Sequence, residues 1–171
     1  MQNHFELFHL PAQFAVDLKA LDAAYRDVQS QVHPDRFVNA SAAEQRVAMQ
    51  WATRANEAYQ TLKHPQKRAQ YLCELHGVDL KTESNTAMPM QFLMQQMEWR
   101  EALGEARAAK DMEALEALDA EVGQDRKARM VDIGVQLDAG DYEHAAQGVR
   151  ALMFLEKFGE ELHQAFDAID S

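Results

Sequence analysis

Proline falls at only four places in the chain, 11, 34, 65 and 89, and none follows Pro89. Each proline removes a backbone donor and disfavours helical geometry in the residue before it, so each marks a point where a helix starts or stops. The stretches between are rich in Ala, Glu, Gln, Leu and Met, which are strong helix formers. A chain of helix formers with fixed breaks folds into helices of defined length, and the expected class is all-α.

Apolar spacing assigns the helices. Leu18, Leu21, Tyr25, Val28 and Val32 recur at steps of three and four behind Asp17, an N-cap residue; this is one face of an amphipathic helix. Lys19, Arg26, Gln29 and Ser30 fall on the other face. Pro34 stops this helix near Val32, and a loop from His33 to about Ala40 follows. Ser41-Ala42-Ala43-Glu44 is a capping box that opens a second helix, to about Lys63, with Val47, Trp51, Ala55, Ala58 and Leu62 along one side. Two helices joined by a compact loop pack most simply antiparallel, which holds His33-Pro34-Asp35 out at one end. Ahead of them, His4 to His9 reads as a short helix or turn that tucks Phe5 and Phe8 away. Behind them, Pro65 suits the first turn of a helix to His76, with Ala69, Leu72, Cys73 and His76 on one side and Gly77 as its C′ residue.

Lys81-Thr82-Glu83-Ser84-Asn85-Thr86 is polar and lacks periodicity. Residues 77–88 are therefore expected to link a domain of residues 1–76 to one of residues 89–171. Pro89 opens a helix to about Lys110, Asp111 caps one to about Asp138, and Gly140-Asp141 ends that helix and caps a third, to about Ala168. Three helices on short connections make a three-helix bundle. The first of these helices carries an apolar stretch, Phe92-Leu93-Met94 followed by Met97; Leu93, Met94 and Met97 are more apolar surface than one buried stripe needs, and Phe154 lies off the stripe of Val149, Leu152, Leu155 and Leu162. Packing inside the bundle and exposure as a binding face both remain open for these residues.

Several function classes lose support. A net charge of -11 repels phosphate backbones, so nucleic-acid binding is not expected. Cys73 is the single cysteine, which leaves no disulfide framework and no thiolate zinc cluster; it reads as a small buried hydrophobe. The first residues lack a basic stretch followed by an apolar one, and no run of about 18 apolar residues occurs. Neither a signal peptide nor a membrane span is expected, and a reducing, cytoplasmic setting follows. No histidine pair has metal-ligand spacing with a third ligand nearby, so no metal and no cofactor are expected. The carboxylates Glu113, Glu116, Asp119, Glu121 and Asp125 read as a solvated helix face. No catalytic residue is assigned, and the chain is not expected to be an enzyme.

His33-Pro34-Asp35 alone would be a turn. Its context is more specific. Phe8 and Leu10-Pro11, the run from Ala24-Tyr25 to Val32, His33-Pro34-Asp35-Arg36-Phe37, Asn56-Glu57-Ala58-Tyr59 to Leu62, and Pro65 with Lys67-Arg68-Ala69-Gln70-Tyr71 together resemble the J domain, in register over residues 4–76. The chain has neither the Gly/Phe-rich stretch nor the cysteine-rich zinc region of general J-proteins. Its linker, its acidic helical second half, Leu75-His76-Gly77 and the segment Phe92 to Glu98 resemble the HscB family, J-type co-chaperones of iron–sulfur cluster assembly. With one cysteine it lacks the extra cysteine motif of eukaryotic members and is similar to the bacterial ones.

The resemblance implies an antiparallel hairpin with short flanking helices as the J domain, and two partners. One is a DnaK-type ATPase chaperone (HscA in this family), stimulated through His33, Pro34 and Asp35, with Arg36 beside them and Arg26 on the helix that leads into them adding steering. In the family the helix leading into this loop is often richer in Lys and Arg; here Lys19 and Arg26 are the main cations, with Asp22 and Asp27 close by, so docking is expected either to be weak or to rely more on the loop. The other implied partner is the cluster scaffold protein (IscU), held by Leu93, Met94, Met97, Glu98, Arg100, Glu101 and Glu105 with Phe154. A J-type adaptor for another client, or a small enzyme using Cys73 or a histidine, are the competing readings.

Overall fold

A computed structural model of the protein describes residues 2–80 and 88–170. The polar run from Lys81 to Thr86 in the expected linker lies outside the described residues. Seven α-helices and one 3-10 turn, with no strand among the described residues, bear out the all-α expectation. They form two compact units, Met1–Leu72 and Cys73–Ser171.

The first unit is built from α1 (His4–Leu7), α2 (Leu18–Val32), α3 (Ala42–Lys63) and most of α4 (Pro65–Leu75). Asp17 caps α2 by accepting from the N–H groups of Lys19 and Ala20, and the Ser41 hydroxyl caps α3 by accepting from Glu44 N–H at 3.1 Å. Such caps contribute about 1 kcal/mol each. α2 and α3 pack antiparallel around ring contacts. Tyr25 stacks on Tyr59 at 4.1 Å, with Phe8 edge-on to Tyr25. Tyr25 Oη donates to Asn56 Oδ1 at 3.2 Å, and Tyr59 Oη donates to Asp22 Oδ1 at 2.7 Å. Phe5, Leu21, Ala55, Ala58 and Leu62 are fully buried around them. Each such leucine contributes about 1.5–3 kcal/mol.

The inward side of α3 differs from expectation at its start. Val47 is 51% exposed and Trp51 37%, and the buried stripe runs through Ala48, Ala55, Ala58 and Leu62. The cause is rotation: at about 100° per residue Ala48 falls within about 20° of Ala55 on the inward face, whereas Trp51 falls about 40° and Val47 about 80° from it. The Asp22–Tyr59 and Tyr25–Asn56 pairs fix the register, which brings Val32 level with the Met49 turn of α3. Trp51 meets only the last turn of α2, and the Arg54 guanidinium lies 5.4 Å from its ring.

The second unit carries α5 (Met90–Ala109), α6 (Met112–Asp138) and α7 (Tyr142–Asp170), each packed on the other two. Lys110, in left-handed geometry, closes α5, and Asp111 Oδ1 caps α6 by accepting from Ala114 N–H. Gly140 (φ +76) makes the next reversal, and Asp141 Oδ1 accepts from His144 N–H. Ile133, Val149, Leu152, Leu155 and Leu162 form the centre of the core. Trp99 is 4% exposed. Gly148 lets α7 come close to Ile133 of α6, where a Cβ would stand 2.7 Å from Ile133 Cγ1. Cys73 is fully buried as expected, while His76, expected beside it, is exposed and stacks on Tyr142 at 3.8 Å. Arg150 donates to the Asp79 carbonyl at 3.2 Å and Leu80 is 7% exposed, so this end of the expected linker is anchored.

Candidate functional site

The sequence-derived residues occupy two exposed regions, one in each unit. The first is the segment between α2 and α3. Pro34 imposes extended geometry on His33 (φ -60, ψ 136), which ends α2, and Pro34–Phe37 then forms a 3-10 turn where a plain loop was expected. Arg36 N–H donates to the His33 carbonyl at 3.0 Å, and Asp35 N–H donates to His33 Nδ1 at 3.2 Å. The Gln45 side chain, from the first turns of α3, donates to the Phe37 carbonyl at 2.9 Å. The local backbone is thus held from both sides while the side chains stay outside.

An Nδ1 that accepts a hydrogen bond leaves the ring proton on Nε2. The 3.6 Å approach of Asp35 Oδ2 to the same nitrogen is then a proximity and not a hydrogen bond. The Asp35 side chain is 89% exposed and the His33 side chain 58%. Arg36 is also exposed. Beside the turn, Gln29, Ser30, Val32, His33, Pro34 and Ala52 line a shallow groove of about 270 Å³.

Arg26 lies about two turns before the end of α2 and is exposed, with Nε 3.4 Å from the Asp22 carbonyl. Its acidic neighbours are engaged elsewhere: Asp22 accepts from Tyr59, and Asp27 accepts from Gln31 at 3.1 Å. Among the described residues Arg26 makes no ion pair, so its charge remains available. It does not touch the turn.

The second region is on α5 and α7. At about 100° per residue, Phe92, Trp99, Leu103 and Ala106 share the buried face of α5, and Met90, Met94 and Met97 fall opposite it. Met90 is 71% exposed, Met94 55% and Met97 71%; Leu93, on the flank, is 39% exposed. Phe154 of α7 is 42% exposed and packs against Phe92 with ring centroids 6.3 Å apart. The apolar stripe continues into carboxylates: Glu98, Glu101 and Glu105 are all exposed. Arg100 ties α5 to α7 through a 3.0 Å ion pair with Glu161 and lies 5.8 Å from the Phe158 ring. The apolar residues are thus exposed rather than packed inside the bundle. Met90 was missed in the sequence; its steps of four and seven to Met94 and Met97 are the signal that includes it.

Neither region holds a catalytic constellation. Cys73 Sγ lies 3.8 Å from the Tyr142 carbonyl, and burial pushes its thiol up to about 11, against the thiolate a nucleophile needs. No group of three or more His, Cys, Asp and Glu side chains among the described residues could hold a metal. No helix among them is long and apolar enough to cross a membrane.

Comparison with known proteins agrees with both halves. Residues 3–71 match the DnaJ domain model, and residues 88–163 match the HSCB C-terminal oligomerisation domain model. The chain is 56% identical over 168 residues to the co-chaperone protein HscB homolog of Burkholderia mallei, covering 98% of this chain and 96% of that one. It superposes on the chaperone HscB from Vibrio cholerae with a TM-score of 0.83 at 37% identity, covering 98% of this chain and 99% of that one. The human co-chaperone protein HscB gives a TM-score of 0.87 at 27% identity, covering 96% of this chain and 82% of that one. A J-type first unit, an HscB-type second unit and similarity along nearly the whole length lead to one conclusion: the chain belongs to the HscB family of J-domain co-chaperones, which work with DnaK-type chaperones.

Proposed function

We propose that the protein stimulates the ATPase of an HscA-type chaperone through the His33-Pro34-Asp35 turn and brings to it an IscU-type iron–sulfur scaffold held on the α5/α7 face. In this reading residues 1–76 serve the chaperone, 77–88 link, and 89–171 hold the client. The observation that carries it is the 89% exposure of the Asp35 carboxylate on a turn whose backbone is fixed by hydrogen bonds. A carboxylate presented this way makes a charge-assisted contact with a partner arginine at little ordering cost. Arg26 and Arg36 add electrostatic steering. On α5, Leu93, Met94 and Met97 with Phe154 offer an adaptable apolar surface, and Glu98, Arg100, Glu101 and Glu105 form its charged rim.

Steady-state ATPase assays of the HscA-type chaperone test both halves. The full chain raises turnover, and adding the scaffold raises it further. Asp35→Asn lowers stimulation at least about tenfold. Phe154→Ala and Leu93→Ala keep the stimulation seen without scaffold and lose the increment the scaffold adds. Full stimulation by Asp35→Asn removes the turn from the mechanism. An unchanged increment with Phe154→Ala and Leu93→Ala together points to a different client or a different face.

A further inference from the structure

Four methionines among the described residues are exposed: Met49, Met90, Met94 and Met97. Three of them share one exposed stripe of α5, opposite the face that packs in the core. The fourth, Met49, is on α3 in the other unit. Met88, Met112, Met130 and Met153 are partly covered.

We propose that Met90, Met94 and Met97 form an oxidation-sensitive modification site, at which conversion to methionine sulfoxide by a peroxide releases the client from α5; this rests on the reading of that face as the client site. The chemistry is a two-electron oxygen transfer. A thioether lone pair attacks one peroxide oxygen and the O–O bond breaks. The departing hydroxide takes the proton of the transferred oxygen and leaves as water. Sulfur is oxidised to sulfoxide and the peroxide is reduced.

The consequence follows from the surface. A thioether is apolar and polarizable, whereas a sulfoxide carries a strong hydrogen-bond acceptor. A client's apolar side chains could cover the oxidised stripe only by desolvating that oxygen. Glu98, Glu101 and Glu105 just beyond are acceptors too and offer the new oxygens no hydrogen bond. The fold tolerates the change, because Phe92, Trp99, Leu103 and Ala106 carry the packing of α5. Methionine sulfoxide reductases reverse the product, which makes the change a switch. A co-chaperone of iron–sulfur assembly would thereby let go of its scaffold when peroxide is present.

The experiment treats the full chain alone with hydrogen peroxide, removes the peroxide with catalase, and maps added oxygen by peptide mass spectrometry. Affinity for the purified scaffold protein is then read by calorimetry. With Met90, Met94 and Met97 oxidised, affinity falls at least about tenfold. Methionine sulfoxide reductases A and B with dithiothreitol restore it. The M90L/M94L/M97L variant, judged against its own untreated affinity, no longer responds to peroxide, and Met49→Leu responds like the parent chain. Circular dichroism stays unchanged throughout. The idea is overturned if three sulfoxides leave affinity within about twofold, if the triple variant still responds, or if oxidation unfolds the chain. If untreated protein binds no scaffold, or if Leu93→Ala and Phe154→Ala bind as well as the parent, the client-face reading fails and takes the switch with it.

Discussion

The backbone N–H of Asp35 donates to Nδ1 of His33 across 3.2 Å, closing the two outer residues of the His33-Pro34-Asp35 run into one ring. Histidine is thereby a fastener of the turn and aspartate its free end. His33→Ala keeps the carboxylate but removes its fastener. The Asp35 amide then loses protection from hydrogen exchange, and ATPase stimulation of the DnaK-type partner falls about tenfold through the added ordering cost. Chain stability changes by less than about 0.5 kcal/mol, since both side chains are exposed. Unchanged amide protection in His33→Ala would show that the ring does not hold the turn.

Two glycines inside helices are expected to respond with opposite sign to the same substitution. At Gly104 a Cβ meets nothing within 4 Å, so Gly104→Ala in α5 stabilises by about 0.5–1 kcal/mol through helix propensity. At Gly148 the new Cβ would stand 2.7 Å from Ile133 Cγ1, so the fully buried Ile133 side chain has to shift. Gly148→Ala therefore destabilises by about 1–3 kcal/mol. Urea denaturation of the two variants decides it; a stabilised Gly148→Ala would mean that α6 and α7 relax apart freely.

Cys73 combines full burial with a thiol pushed up to about 11. Alkylation requires thiolate, so iodoacetamide at mildly alkaline pH labels the native chain at least about a hundredfold more slowly than the urea-unfolded chain. The rates are read by mass spectrometry. Comparable rates would mean that the thiol is reached through frequent local opening.

His4 gives the first unit an acid-side weakness. Its ring stacks on Tyr71 at 4.3 Å, and burial, the largest cause, holds its pKa below the ordinary histidine value despite Glu57 nearby. The unfolded chain therefore takes up this proton at a higher pH than the folded chain does. Stability falls as pH drops from about 6.5 toward the lower folded value, and the loss is complete below it. His4→Gln removes this part of the pH dependence. Urea midpoints at pH 7 and pH 5.5 that shift equally in both proteins would show that His4 contributes nothing.

Local chemistry made much of this architecture legible. Asp17, Ser41, Asp111 and Asp141 sit where side-chain oxygens meet free N–H groups, and each caps a helix. Gly77 and Gly140 both take the positive φ that reversals need. Register was not legible. The exposure of Trp51 depends on where α2 ends against α3, and the Tyr59–Asp22 hydrogen bond that sets this joins residues far apart in sequence. Lys110 adopts left-handed geometry without being a glycine or asparagine, so no residue signal announced it. On α5 the run Phe92-Leu93-Met94 looked like one apolar cluster, but helical rotation sends Phe92 inward and Met94 outward. The role of His33 in holding Asp35 was also hidden, because it rests on which ring nitrogen faces which N–H.

The two tryptophans fall one to each unit, and their surroundings are opposite. Trp51 is partly wet, close to a guanidinium and level with the end of α2, whereas Trp99 is shut inside the bundle with no hydrogen-bond partner for its Nε1–H among the described residues. The molecule thus carries two built-in fluorophores with separable colours, Trp51 emitting toward the red and Trp99 toward the blue. Replacing either with phenylalanine leaves a single optical channel. On the proposed reading, chaperone binding at the turn would be followed through Trp51 and client binding on α5 through Trp99 in one unlabelled chain, and the order of the two events would become a directly observable quantity.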